Sequence, residues 1–251
     1  MKKILLILAV LGFGLTTVSA HKVRVMSYNV HNCGGIDGLK SIERCADVIR
    51  QADADVIAIQ EVDSMTQRNN KYMLGELAER TGYHAYFGKT IPYKGGSYGI
   101  GVLSKEPALS VKFHPLPCRK EPRGLLILEF KSYYFLATHF SLVKPDQLAS
   151  VDIIRDIVAK LDKPVFLAGD LNAKPHTPTM DALRSFMKVL SDEKQFTFPA
   201  DVPSRCIDYV LGANGSFKVL NNYVFYNSLA SDHLPLYVNV KIKRQRNSKK
   251  K

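Results

Sequence analysis

Two periods of apolar residues run along the chain. From Lys22 to Tyr28 the order alternates, with Val23, Val25 and Ser27 on one side, and predicts a strand. A Gly-rich loop over 32–38 follows. Leu39, Ile42, Cys45, Ala46 and Ile49 then recur at helical spacing. Residues 55–60 read as a buried strand ending in Glu61, and 70–80 as a second helix closed by Gly82. Strands are predicted over 83–87, 100–103, 108–113, 124–130 and 133–138, with Lys131-Ser132 as a turn. The stretch 91–97, with its Pro, Lys and two Gly, reads as a loop. Leu148, Val151, Ile154, Val158 and Leu161 mark a third helix, and 165–168 a short buried strand. Thr177 and Pro178 open a fourth helix whose apolar stripe is Met180, Leu183, Met187 and Leu190. Strands over 206–211, 217–225 and 236–242 close the chain.

No repeat, heptad or low-complexity linker breaks this order. Two strand-rich stretches with helices between them predict one domain over 21–243. The expected architecture is a four-layered α/β sandwich: two packed sheets, mostly antiparallel or mixed, with helices outside.

Composition narrows the picture. Among 251 residues, 46% are hydrophobic and 23% charged, which excludes a disordered or collagen-like chain. Lys2 and Lys3, the apolar run 4–15 and Val18-Ser19-Ala20 read as a signal peptide cleaved after Ala20, so a secreted or periplasmic bacterial protein is expected. No later segment reaches a spanning length. Export permits disulfides, and Cys33, Cys45, Cys118 and Cys206 allow three complete pairings or four simple thiols. The formal charge of +12 is uneven. Residues 21–240 hold 26 basic and 23 acidic side chains, whereas 241–251 hold seven basic ones and no acid. The tail over 244–251 could contact a polyanion or an anionic membrane, or simply be solvated.

Polar side chains collect where strands end: Asn29, Glu61, His139, Asp170 with Asn172, Asp208, and Asp232-His233. Layered α/β proteins carry working groups in such places. The words around them are Met26-Ser27-Tyr28-Asn29-Val30-His31, Ile59-Gln60-Glu61-Val62-Asp63, 97–104 (SYGIGVLS), Ala137-Thr138-His139, Gly169-Asp170-Leu171-Asn172-Ala173, Arg205-Cys206-Ile207-Asp208-Tyr209-Val210 and Ser231-Asp232-His233-Leu234-Pro235. In this order, over essentially 22–242, the chain resembles the endonuclease/exonuclease/phosphatase family of metal-dependent phosphohydrolases. Its 32–38 loop and the helix after it look most like the small bacterial hydrolase branch.

That resemblance implies a phosphoesterase acting on an anionic phosphoester, with DNA or RNA the leading substrate and a monomer expected. It implies Mg²⁺, with Mn²⁺ as substitute, held by Glu61 with Asn29 and Asp232 alongside. It casts Asp170 as the group that orients or deprotonates water, and Asn172 as a ligand of that water or of a phosphate oxygen. His233 would contact the scissile phosphate, oriented by Asp208, and His139 would lie near the leaving oxygen. Arg123 corresponds to a basic, phosphate-facing position; Lys94 could line a groove and Tyr98 could stack on a base or sugar. The secreted deoxyribonuclease branch carries a Glu that orients the histidine matching His139. No acid occupies 97–104, where Tyr98 stands, and this departure tells against strong acid catalysis by His139. A phospholipid or small-metabolite phosphoesterase is the alternative reading. A non-catalytic polyanion-binding module is disfavoured by the intact set of Asp, Asn and His.

Overall fold

A computed structural model describes residues 21–243; the expected leader over 1–20 and the basic tail over 244–251 lie outside the described residues. The first strand, β1 (His21–Asn29), leads through a single 3-10 turn (His31–Cys33) into helix α1 (Ile42–Ala52) and a parallel strand β2 (Val56–Thr66). The helix starts at Ile42 because Ser41 caps it, its Oγ accepting from Arg44 N at 3.3 Å. Leu39, expected on its buried face, therefore falls outside the helix and is exposed.

Strand β3 (Asn69–Tyr72) precedes α2 (Met73–Thr81). The residues expected to begin that helix instead pair with the far end of β2, Tyr72 lying opposite Ser64. Strands β4 (His84–Tyr93) and β5 (Gly96–Ser104) form a hairpin that absorbs the expected 91–97 loop. Lys94 and Gly95 alone make the turn, at φ 42° and 81°. Two successive left-handed residues match the twist of a tight hairpin, so Pro92 and the glycines did not signal a long loop.

The second half holds β6 (Ser110–Leu116), β7 (Arg123–Glu129), β8 (Tyr134–His139), α3 (Lys144–Val158) and β9 (Val165–Asp170). Then come α4 (Pro178–Arg184), β10 (Lys188–Val189), β11 (Asp208–Ala213), β12 (Ser216–Val224) and β13 (Leu236–Lys243). Thr177 does stand before α4, but its hydroxyl donates to Lys174 O at 2.8 Å and does not cap the helix. Met187 and Leu190 lie beyond the helix end yet remain buried with Met180 and Leu183.

One sheet runs β12-β13-β1-β2-β5-β4, with β3 on the end of β2; the other runs β10-β11-β9-β8-β7-β6. Each is mixed, with one parallel pair, β1/β2 or β8/β9, joined through a helix. Alternation sends Val23, Val25, Val56 and Ala58 of the first sheet against Phe135, Ala137, Phe166 and Ala168 of the second. The opposite faces pack under α1 and α2, and under α3 and α4. Four layers result, as the periodicity predicts. All four cysteines are free thiols, three of them buried, so none of the three pairings is formed. No helix of the described residues is long and apolar enough to cross a membrane.

Candidate active site

The polar strand ends meet at one edge of the two sheets. β1 ends at Asn29, which lies opposite Gln60; Glu61, expected at a strand end, comes next but lies midway along β2, which runs on to Thr66. β13 runs antiparallel to β1, Leu236 opposite Ser27, so Asp232 and His233 enter from the loop just before it. In the second sheet His139 lies opposite Asp170, and Asp208 lies opposite Asp170 on its other side. A Cβ on Gly169 would stand 2.1 Å from Thr138 O. Glycine is what lets β9 lie so close to β8 directly before Asp170.

Glu61 leaves the strand pattern. The β2/β5 register slips between Ile59 and Val62, and Glu61 sits in this bulge at φ 61°. A non-glycine residue there costs roughly 1–3 kcal/mol, and bulges re-aim side chains. Here the bulge accompanies a contact: Glu61 Oε1 accepts from Asn29 Nδ2 at 3.1 Å. The same Nδ2 lies 3.2 Å from Asp170 Oδ2, and Asn29 Oδ1 accepts from His31 N at 3.0 Å. Asn29 thus ties a carboxylate of one sheet to a carboxylate of the other. Ser231 Oγ donates to Asn29 O at 2.8 Å and joins the 231–233 loop to β1.

Asp170 Oδ1 accepts from Asn172 N at 2.9 Å. Burial, and after it the neighbouring Asp208 carboxylate, push Asp170 up to about 7, against the opposing pull of His233 and the two Asn donors. His233 Nδ1 meets Asp208 Oδ2 at 3.0 Å, and its Nε2 stands 3.7 Å from Asp170 Oδ2. Burial disfavours the charge on His233, but Asp208, Asp170 and Asp232 outweigh it and push the imidazole up to about 10. His233 is therefore an imidazolium at neutral pH, its Nδ1–H fixed on Asp208 and its Nε2–H facing the site.

His139 is the opposite case. Burial first, then the Arg123 guanidinium and the His233 charge, hold it well below its ordinary value. Asn172 Nδ2 lies 3.1 Å from Phe140 O, which identifies it as the amide nitrogen, and 3.1 Å from His139 Nε2. The His139 ring is then neutral, with Nε2 accepting and the proton on Nδ1. This geometry does not make His139 a ready acid, even with Asp170 Oδ2 3.4 Å from the same Nε2. It also spends the Asn172 amide on His139 and Phe140, so the contribution of Asn172 to Asp170 comes through its backbone.

Asp232 is raised by burial, with His233 and His31 opposing and Glu61 adding to the rise. His31 Nδ1 lies 3.6 Å from Asp232 Oδ1, which brings a residue of weak sequence signal to the rim. Arg123 is only 8% exposed; its Nη1 contacts Glu121, and its Nε is buried without a partner. Tyr98 is 9% exposed, tilted against Tyr93, with the Arg68 guanidinium 5.5 Å over its ring. It packs as part of the wall and offers no open stacking face. Lys94, at the β4–β5 turn, lies over Tyr93.

Four residues of this neighbourhood carry no role in the sequence reading. Thr197 Oγ1 donates to Asp208 Oδ2 at 2.6 Å, and the Phe198 ring lies 4.5 Å from that of His233. Ser231 bridges to Asn29, and Arg68 grips buried Asp63 with Nε and Nη2 at 2.7 and 2.8 Å. The 197–198 pair lies in an irregular stretch where neither period applies, so only the tertiary structure reveals it.

The donor set suits a hard divalent cation. Glu61 and Asp232 bring carboxylate oxygens beside Asn29. Asp170 and Asp208 add carboxylate oxygens that, with a His233 ring nitrogen, lie within 4.8 Å of one another; the protonated His233 itself supplies no lone pair. Asp208 Oδ1 is buried without a partner, an anionic oxygen whose field a nearby cation would offset.

The chain matches the family described as "Endonuclease/Exonuclease/phosphatase family" over residues 26–233 and belongs to it. Fold and site together define a metal-dependent phosphoesterase. A solved endonuclease/exonuclease/phosphatase from Beutenbergia cavernae shares 26% identity over 88% of this chain and 72% of its own, with a TM-score of 0.71. One from Bacteroides vulgatus shares 18% identity over 89% of this chain and 100% of its own, at 0.74. A mannosyl-6-phosphatase from Bacteroides thetaiotaomicron shares 18% over 87% and 99%, at 0.67. No curated protein matches the chain.

Proposed function

We propose that the enzyme hydrolyses a phosphodiester by in-line attack of water, with a nucleic-acid strand as the leading substrate. The observation that carries this reading is one pair of groups. A carboxyl pushed up to about 7, Asp170, faces an imidazolium pushed up to about 10, His233, at 3.7 Å. Environments that separate two titrations in this way suit a base and a charged hydrogen-bond donor at one site.

A divalent cation, Mg²⁺ or Mn²⁺, held by Glu61 with Asp232 and Asn29 alongside, would neutralise phosphate charge and favour the developing negative charge. The chain's own groups do the rest. Asp170, steadied by Asn172 N and Asn29 Nδ2, aligns a water and receives its proton. His233 Nε2–H donates to a phosphoryl oxygen, a charge-assisted bond about twice as strong as a neutral one. Asp208, itself held by Thr197, keeps that imidazolium oriented. Buried Arg123, with its unpartnered Nε, adds positive charge beside His139 and attracts the ester. Neutral His139 orders Asn172.

Parallel assays on DNA, RNA, phospholipid and a bis-aryl phosphodiester, with Mg²⁺, Mn²⁺ and chelator, test the reading. Asp170→Asn should retain more metal affinity than Glu61→Gln and lower kcat by about 10²–10⁴. Glu61→Gln should weaken metal binding and recover in part at saturating Mg²⁺. Near-normal kcat/KM in both Asp170→Asn and His233→Ala sinks the assignment, and turnover confined to phosphomonoesters moves the substrate to a small phosphorylated metabolite. The leader and basic tail belong to the same proposal. The exported form should begin at His21, and deletion of 244–251 should weaken retention on polyanions at low salt.

A further inference from the structure

One cationic cavity has no task in this chemistry. It lies between the start of α1 and the β2–β3 hairpin, holds about 650 Å³, and is walled in part by Asn32, Lys40, Arg68, Asn69, Lys71 and Arg80. Glu43 is the one carboxylate residue among its lining. Two of the four cations are already matched: Arg68 by Asp63, and Arg80 by Glu76 and Glu43. Lys71 Nζ is 3.6 Å from Glu76, a loose pairing. Lys40 has no carboxylate partner among the described residues. With the Asn32 amide turned so that its nitrogen donates to Asp63 Oδ2 at 3.1 Å, its oxygen accepts from Lys40 Nζ at 2.7 Å. A neutral oxygen anchors the ammonium there without cancelling its charge, and leaves donors free. The first turn of α1 also opens here through Ser41 and Ile42, adding the positive end of a helix dipole.

The place of the cavity matters as much as its charge. Asn32 follows Asn29 by three residues, and Asp63, which Arg68 grips, follows Glu61 by two. Asn32 and Asp63 thus tie the cavity wall to the Asn29–Glu61 contact within three residues along each of two chain segments. A wall of side-chain amides and incompletely neutralised cations suits a phosphate group and its hydroxylated neighbours.

We propose that this cavity is a second anion subsite, which holds a phosphate of the substrate other than the one cleaved. The proposal rests on the phosphodiesterase reading and narrows the substrate class to esters with more than one phosphate, such as a strand or a bisphosphorylated metabolite.

Two arms test it. The first compares kcat/KM on d(TpT), d(pTpTp) and a bis-aryl phosphodiester, with a bisphosphorylated sugar to separate strand from metabolite. Added phosphates should raise kcat/KM about tenfold, the worth of one charge-assisted contact, and Lys40→Gln with Lys71→Gln should abolish that gain. Lys112→Gln with Lys188→Gln, the same two-charge change on the edge strands β6 and β10, should preserve it. The second arm needs no turnover. In chelator, His233→Ala protein is titrated calorimetrically with inorganic pyrophosphate, and adding both lysine substitutions should weaken binding about tenfold. Unaltered pyrophosphate binding overturns the subsite. So does a phosphate gain that survives both substitutions. If no phosphodiester is turned over, the phosphodiesterase reading fails by itself, while the pyrophosphate titration still decides the cavity.

Discussion

Replacing Asp208 with Asn tests the central electrostatic claim without any substrate. In the folded enzyme His233 is pushed up to about 10 from an ordinary 6.5, chiefly by carboxylates that overcome its burial. That difference corresponds to roughly 4–5 kcal/mol of preference for the charged ring. The raised group binds its proton more tightly folded than unfolded. Its contribution is thus complete below about pH 6.5 and is lost as pH rises through about 10. At pH 6 it amounts to roughly 4–5 kcal/mol, and at pH 9 to roughly 1–2 kcal/mol. Asp170 and Asp232 still face the ring in Asp208→Asn, so only part disappears. The expected gap between native and variant is about 3 kcal/mol at pH 6 and about 1 kcal/mol at pH 9. Urea unfolding at both pH values, in chelator and at fixed salt, measures it. NMR titration of the His233 ring gives the same quantity directly. A gap that does not change with pH, or a ring in the native protein that titrates near 6.5, refutes the reasoning.

His139 should behave with the opposite sign. Held neutral by burial and Arg123, it weakens folding as pH falls below about 6.5, so His139→Asn should flatten the acid limb of stability against pH, read by thermal melts. Gly169→Ala forces a Cβ to within 2.1 Å of Thr138 O, and should cost about 2–4 kcal/mol while moving Asp170, visible as a lower Tm and a larger loss in kcat than in KM. Alkylation of the native protein should label Cys118 first and spare Cys33, Cys45 and Cys206; burial pushes the Cys206 thiol up to about 12. Mass spectrometry of tryptic peptides reads that order.

The layers were legible because burial obeys the same two periods that the sequence displays. Val23 and Val25 face one core and Met26 and Tyr28 the other, as strict alternation requires. The site residues were legible because Asn29, His139 and Asp170 stand at strand ends, where a polar residue breaks an apolar run, and Glu61 breaks such a run at a bulge inside β2. Local chemistry misled where tertiary pairing prevailed. Asn70 to Tyr72 resemble a helix start but are recruited by β2, and 91–97 resembles a loop but is a hairpin. The state of each histidine lay beyond the sequence altogether. His139 and His233 differ in charge because of Arg123 and Asp208, neighbours set by the meeting of two sheets. Thr197 and Phe198 illustrate the same limit, since no periodicity marks a residue that serves by touching Asp208 or His233.

The two ends of the described chain share a sheet: β13 pairs with β1, His21 opposite Ile242. Asp232 and His233 reach the catalytic edge only as that pairing forms. A nascent or truncated chain can build the second sheet, between β5 and β12, and still lack the imidazolium. Contacts that span nearly the whole sequence close slowly, because the intervening chain must first be ordered. Catalytic competence and completion of the fold are therefore one event, and a chain that stops before β13 is chemically silent.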